Sequence, residues 1–341
     1  MPPSLAAGSI TDITTRFFAD VVREGTGQTV LIENRPGAAG RIAAVHVKDR
    51  IVPGGINGMG CQSVYPFHCD TIAHFQRHGF LFMGMKTIVT DVVRENNQTY
   101  RLGWTEQCKD GSKMGYGMPE YLLLFRKPQT DTTKGYSDVP VRKDKARYSK
   151  ARWQVDAHGF ARSAGNRNLT PEEIRDLPFA KDFHQKVFGM FHDFYLEHVY
   201  DFENHVKIGE TLEARGVLPV TFMLLQPPSW HSDVWTDITR MLTANAFQAE
   251  KGKVKHLCPM QFDIADRVIA QMSNPGDVVY DPFGGLMTVP TRAIALGRYG
   301  VGCELNPAYF ADGAAYCSAE ERKIGAPTLF DCLDEALAET A

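Results

Sequence analysis

The alternation of apolar and polar positions divides the chain into α/β segments separated by a long stretch in which the periodicity fails. In DITTRFFADVVRE, residues 12 to 24, Ile13, Phe17 and Val21 fall on one face of a short helix that Asp12 is placed to cap. TVLIE at 29 to 33 predicts a strand and NRPGAAGR a turn, and IAAVHV at 42 to 47 reads as a strand covered on both faces, as in a parallel sheet. A helix is expected over 66 to 78, starting at Pro66 and ending before Gly79. It leads into the strand FLFMGMKTIV and, after a polar gap, the strand EYLLLFRK at 120 to 127.

From 128 to about 170 no period holds, and VRKDKARYSKARW at 141 to 153 sets six basic residues and one acid beside Tyr148 and Trp153. Such a stretch can neutralise phosphates and stack a base, or it can be a solvated loop with no specific partner. Helical character returns between 171 and 204, where Thr170 is a plausible cap and Pro171 suits a first turn, so 128 to 250 reads as an inserted lobe. In the last third, Ile264, Val268 and Ile269 recur at helical spacing in QFDIADRVIAQM. NPG then turns into VVYD, DPFGG follows, and a helix, VPTRAIALG, precedes a strand, YGVGCEL, ending near Glu304.

With 341 residues there is room for about two domains at roughly 150 residues each. Lys plus Arg at 37 against Asp plus Glu at 40 give a formal charge of -3, which nominates no partner and excludes none, since phosphate contact depends on where basic residues lie. The seven Cys lack the short paired spacings of a zinc site or a disulfide framework, which fits a reducing cytosol and implies no metal. MPPSLAAGSITD has no Lys or Arg ahead of its apolar stretch, and no run reaches 18 apolar residues. A soluble, cytoplasmic protein without signal peptide or membrane span is therefore expected.

The chemistry-bearing stretch runs from Asp281 through Pro282, Phe283, Gly284 and Gly285, where a buried strand meets the next helix, to Glu304 at the end of the following strand. Glycines let backbone approach a ligand closely, and a carboxylate beyond the next strand can accept hydrogen bonds from ribose hydroxyls. The bland alternative is a tight turn beside an unrelated surface Glu. GxGxxG is absent, which argues against a nicotinamide site.

HLCPMQFDIADRVIAQMSNPGDVVYDPFGGLMTVPTRAIALGRYGVGCELNPAYF, 256 to 310, resembles the cofactor-binding part of amino-DNA methyltransferases. The resemblance implies an α/β fold, a Rossmann-like methyltransferase sheet with an inserted lobe, and S-adenosylmethionine as cofactor. It places Pro259 to Phe262 beside the methionine moiety, makes Asp281, Phe283 and Gly285 the cofactor loop and Glu304 the ribose-binding acid, and matches the ending Asn306, Pro307 and Tyr309. The chain departs from the family where another small residue and a Thr usually follow the glycines, reading Leu286, Met287, Thr288 and Val289. IAAVHVKDRI, HGFLFMGMKTIVTDVVRENN, GWTEQCKDG and PEYLLLFRK extend the likeness to about 41 to 320, and it is especially close to phage or prophage DNA modification methylases. Lys48, Asp49 and Arg50 then border the pocket or are simple surface charge.

Such enzymes share a (Asp, Asn or Ser)-Pro-Pro-(Tyr, Phe or Trp) loop that holds the flipped target base, expected here before Ile42, where the sequence has no such motif. Gln226 to Trp230, QPPSW, has a superficial likeness only, so no catalytic residue is named. Residues 8 to 40 instead resemble the start of solute-binding proteins of tripartite tricarboxylate uptake, in which Thr11 and Asp12 would border the ligand. The two likenesses meet near Pro36 to Arg41, which suggests a fused or miscalled start, the alternative being a divergent methylase beginning.

The division expected is an atypical segment 1 to 40, the methyltransferase parts 41 to 127 and 251 to 320 around a lobe at 128 to 250, and a tail 321 to 341. Arg142, Lys143, Lys145, Arg147, Lys150 and Arg152 are the candidate contacts to double-stranded DNA. The leading expectation is methyl transfer to adenine N6 or cytosine N4, with activity in question because the loop is missing. The alternatives are a noncatalytic DNA-binding protein of the same fold and, more remotely, a periplasmic organic-acid receptor.

Overall fold

The computed structural model describes residues 42–89, 104–113, 119–138, 140–163, 167–168, 196–197, 202–218, 233–239, 242–254, 256 and 259–324. The expectations for residues 1 to 40, for QPPSW and for most of 171 to 201 lie outside the described residues. The chain divides into two compact units, Met1–Ile238 and Thr239–Ala341. Among the described residues no helix is long and apolar enough to cross a membrane.

In chain order the first unit contains β1 (Ile42–Lys48), β2 (Arg50–Val52), α1 (Gly54–Asn57), β3 (Ser63–Tyr65), α2 (Phe67–Arg77), β4 (Leu81–Ile88), α3 (Trp104–Asp110), β5 (Glu120–Arg126), α4 (Lys150–Ala161), β6 (Arg167–Asn168), β7 (Leu196–Glu197), α5 (Phe202–Ala214) and β8 (Val234–Trp235). A four-stranded sheet runs β1-β5-β4-β8. β5 lies antiparallel to both β1 and β4, and β4 parallel to β8. The expected strand at 42 to 47 is present, but its placement in a parallel sheet is corrected: β1 is an edge strand, antiparallel to β5 and only half-buried along most of its length. A short apolar run carries no information on strand direction, which a partner more than 70 residues away decides.

The helix expected at 66 to 78 forms as α2, entered from Pro66 and left through Gly79 at φ 81°. It brings Phe75 against the sheet, stacked on Phe125 at 4.3 Å and edge-on to Phe80 at 5.6 Å, in a core shared with Ala43, Val47 and Leu123. Burying each such ring stabilises by about 3 kcal/mol or less.

α4 begins inside the basic stretch that reads as aperiodic. Ser149 caps it by accepting from the Arg152 amide at 3.1 Å, and Ala151, Gln154, Val155 and His158 form its buried face. A helical period is present there, but two of its four buried residues are polar, so hydropathy conceals it. Val206 of α5 joins Ala151 and Val155, and the Trp235 indole of β8 donates to the Phe160 carbonyl at 3.0 Å, fixing the end of α4 to the sheet.

The second unit contains α6 (Asn245–Glu250), α7 (Phe262–Met272), β9 (Val278–Asp281), α8 (Thr288–Ala295), β10 (Tyr299–Gly302) and α9 (Pro307–Ile324). β9 and β10 pair in parallel, with α8 as the crossover, as the succession of strand, loop, helix and strand predicts. α7 presents Ala265 and Ile269 to Ala293 of α8; of the face expected from spacing, Ile264 and Ile269 are buried and Val268 is only half-buried. The arrangement brings the loop after β9 and the residues after β10 to the same, carboxyl end of the strand pair, where open α/β sheets hold their ligands.

Candidate functional site

Asp281 ends β9, and its carboxylate turns back to accept the Phe283 amide at 3.0 Å. The Gly284 amide donates to the Cys303 carbonyl at 2.7 Å, which ties the loop to the residue that follows β10. One residue on, Glu304 takes the Gly285 amide on one oxygen and the Asn306 amide on the other, both at 2.8 Å. The expected glycine loop and the expected ribose acid therefore meet: one carboxylate spans the loop after β9 and the turn into α9. Phe283 is half exposed beside them.

Gly285 has φ 53°, and a methyl group at its α-carbon would come within 3.1 Å of the His256 imidazole. Both the backbone conformation and the close ring demand glycine. Two positions later Met287 adopts φ 56° with a side chain, at a cost of roughly 1–2 kcal/mol. Its thioether lies where Gly284 and Gly302 lack a Cβ: a methyl group on either would approach the sulfur to 2.5 Å, and Gly313 of α9 leaves room in the same way. The departure from the family at Met287 thus has a structural basis, because three small residues from separate elements admit the larger one.

Burial pushes the Asp281 carboxyl above the ordinary carboxylate value; the Phe283 amide opposes this, and the charge of Glu304 adds to it. Two carboxylates held together in part-buried surroundings favour a ligand that brings positive charge and hydroxyl donors. Among the described residues no group of three or more His, Cys, Asp and Glu could hold a metal ion.

Phe262 opens α7 and packs against Ala244, Leu286 and Tyr316, under the Arg292 guanidinium at 5.2 Å. Leu286 links it to the glycine loop. Pro259 lies half-buried ahead of that helix, and Gln261 between them buries an amide oxygen that has no hydrogen-bond partner among the described residues. The neighbour that sequence reading passed over is His256. Its signal was the His-Leu-Cys-Pro run leading to Pro259, whereas Asn245, which holds it, had none.

The basic candidates belong to the first unit and differ from one another. Arg152 donates to both carboxylate oxygens of Glu203, at 2.6 and 2.8 Å, and Lys150 pairs with Glu213 at 3.3 Å, so both join α4 to α5. Lys143 lies 5.9 Å from the Tyr148 ring centre, and the Tyr148 hydroxyl donates to Asp156 at 2.8 Å. Arg142, Lys145 and Arg147 are exposed, Arg147 near Asp144 at 3.9 Å. Trp153 keeps 45% of its surface exposed. Of the residues after β1, Lys48 leans on Glu120 at 3.8 Å, Asp49 accepts the His68 imidazole at 2.7 Å, and Arg50 lies 5.9 Å from the Phe67 ring centre. Asp49 also accepts the His68 amide at 3.1 Å, which anchors the start of α2.

This loop and acid sit in a segment with recognisable relatives. The chain belongs to the family of N6/N4 DNA methylases: the family model, described as DNA methylase, matches residues 80–315, more than half of the chain. Among curated proteins it is 46% identical over 61 residues to the DNA adenine methyltransferase YhdJ of Escherichia coli (strain K12), covering 16% of this chain and 21% of that protein. It is 40% identical over 57 residues to the type II methyltransferase M1.MboII of Moraxella bovis, covering 17% and 22%. These matches thus span about a fifth of each relative. Among solved structures, a Thermus thermophilus protein described as a DNA modification methylase, complexed with S-adenosyl-L-methionine, aligns over 94% of this chain and 83% of its own at 19% identity, with a TM-score of 0.41. Membership of the family rests on the match to the family model.

Proposed function

We propose that the chain is an S-adenosylmethionine-dependent DNA methyltransferase acting on an exocyclic amino nitrogen, adenine N6 or cytosine N4, of double-stranded DNA in the cytoplasm. The observation that carries the reading is Glu304, whose carboxylate joins the Gly285 amide to the turn after β10. The residues fit the cofactor. Glu304 keeps lone pairs for a ribose diol, the strained charge of Asp281 is relieved by a cationic ligand, and Gln261 has a buried oxygen still to satisfy. Asp281, Phe283, Gly285 and Glu304, with Pro259 and Phe262, would hold it. When bound it supplies an electrophilic sulfonium methyl group.

The chain's own part is to align and to exclude. Hydrogen bonds within the loop hold the site in shape before any ligand arrives, so little ordering remains to be done on binding. Phosphate contact falls to the lobe at 128 to 250, with Arg142, Lys143, Lys145, Arg147, Lys150 and Arg152 as its basic residues. Arg142, Lys145 and Arg147 are exposed, and Trp153 offers a ring for stacking. No residue is assigned to hold the target amino group.

A second reading, a noncatalytic DNA-binding protein of the same fold, draws on the exposed basic residues Arg142, Lys145 and Arg147. A labelled-methyl transfer assay on unmodified double-stranded DNA, followed by base analysis, separates the two. Sustained transfer eliminates the second reading and names the base; salt-sensitive DNA binding without transfer eliminates the first.

A further inference from the structure

A second group of chemistry-bearing side chains lies in the first unit, apart from the glycine loop, and ends at Cys69. Asp49, just past the carboxyl end of β1, accepts the His68 amide at 3.1 Å and the imidazole Nδ1–H at 2.7 Å. With its proton held at Nδ1, the ring keeps a lone pair on Nε2, and the Cys69 thiol donates to it across 3.3 Å. Tyr121 stacks on the imidazole, ring centres 4.3 Å apart, and fixes its plane.

Nucleophile, base and the acid that orients the base therefore touch in that order, the arrangement that activates a sulfur or oxygen nucleophile. The two members behind the sulfur are largely buried, with 11% of the Asp49 side chain and 17% of the His68 side chain exposed, whereas Cys69 is exposed. Cys69 also lies in the first turn of α2, so negative charge growing on its sulfur meets the positive end of a helix of 11 residues. Cys61 and Cys108 are exposed too, but among the described residues neither has an imidazole partner. Exposure is common to the three, and the base is particular to one.

We propose that Cys69 is a site of oxidation by hydroperoxides, with His68 as the general base and Asp49 as the positioning residue behind it. The thiol proton passes to His68 Nε2 as the sulfur attacks one peroxide oxygen. The O–O bond breaks, and the imidazolium returns the proton to the departing oxygen. Sulfur is oxidised by two electrons to a sulfenic acid, and the peroxide is reduced to water or an alcohol. This inference is independent of the cofactor reading above.

The test treats the full chain with hydrogen peroxide in the presence of dimedone, which traps sulfenic acids, and follows each cysteine by peptide mass spectrometry. Cys69 should be labelled about tenfold or more faster than the exposed controls Cys61 and Cys108. His68→Asn keeps an amide donor for Asp49 and removes the base, and it should bring Cys69 down to the rate of the controls. Asp49→Asn, which leaves the base but not its orienting charge, should cause a smaller loss. Cys317, half-buried, should stay slow throughout and so reports that each variant is folded. Equal rates at the three exposed cysteines of the unaltered chain would overturn the proposal, and that comparison needs no variant. A fast Cys69 that is indifferent to both substitutions would overturn it as well, since exposure alone would then explain the rate.

Discussion

The α4 region and the loop after β9 both gather charge, but α4 neutralises much of its own while the loop keeps two carboxylates in company. On α4, Arg152 and Lys150 reach Glu203 and Glu213 of α5, and their charge serves to join two helices. At the loop, Asp281 and Glu304 receive backbone amides and pair with no basic side chain among the described residues, so their negative charge remains for something that arrives from outside. A residue's charge says little about ligand contact until its partner is known. What marks the loop is that like charges are kept together at a cost, whereas on α4 opposite charges meet.

Four experiments would break or sharpen this contrast. The largest effect is expected from Met287→Ala, which empties the space among Gly284, Gly302 and Gly313 and keeps the left-handed backbone. Chemical denaturation should register a loss of about 2–5 kcal/mol, and an unchanged midpoint would mean that charge rather than packing shapes the loop. Next, Glu304→Ala should weaken S-adenosylmethionine binding by about 10- to 100-fold, as expected for a lost charged hydrogen bond; calorimetry showing full affinity would remove Glu304 from the site.

Third, neutralising Arg142, Lys145 and Arg147 together should lower the salt dependence of DNA binding, by roughly one unit of slope for each phosphate that is no longer neutralised. Arg152→Gln should leave that slope alone and cost at most about 1 kcal/mol of stability, its pair being partly exposed. The reverse pattern would show that the α4 pairs open to receive DNA.

The smallest effect concerns pH. Because the folded-state pKa of Asp281 is raised above the ordinary 3.8, its contribution to stability is fully present below that value and is lost as pH rises through the higher folded value. Asp281→Asn keeps an acceptor for the Phe283 amide without the charge. It should therefore melt like the unaltered protein in acid and slightly higher at neutral pH, a gap that opens upward from about pH 4. A gap of the opposite sign would mean that the carboxylate already has a cationic partner.

The parts of the molecule legible in the sequence are those whose causes lie close along the chain. The succession from Asn274 to Glu304 was readable because a turn, a short buried strand, a glycine loop and an amphipathic helix each announce themselves within a few residues, and parallel pairing follows from the crossover. α2 was readable for the same reason, between Pro66 and Gly79. The direction of β1 was not, since it depends on a partner at 120 to 126. The basic stretch was legible as composition but not as structure, because the acids that answer Lys150 and Arg152 stand more than 50 residues further on. Glu203 and Glu213 could have been noticed on a predicted helix, yet no local rule says which cation each would meet. The clamp of Asn245 on His256 was equally silent, being two hydrogen bonds between a side chain and a distant backbone.

The shared space around Met287 also constrains how this loop can change over time. Gly302 and Gly313 are 15 and 26 positions away in sequence, yet each is bound to Met287 by volume. Gly284→Ala alone should be poorly accepted, whereas Gly284→Ala combined with Met287→Gly should be tolerated far better than the two separate costs would suggest, because the second change removes the thioether that the first would meet. Lineages of this loop would then move between two sets of residues, a bulky side chain at 287 with glycines around it, or glycine at 287 with larger neighbours. The single steps between those sets are the ones expected to be rare.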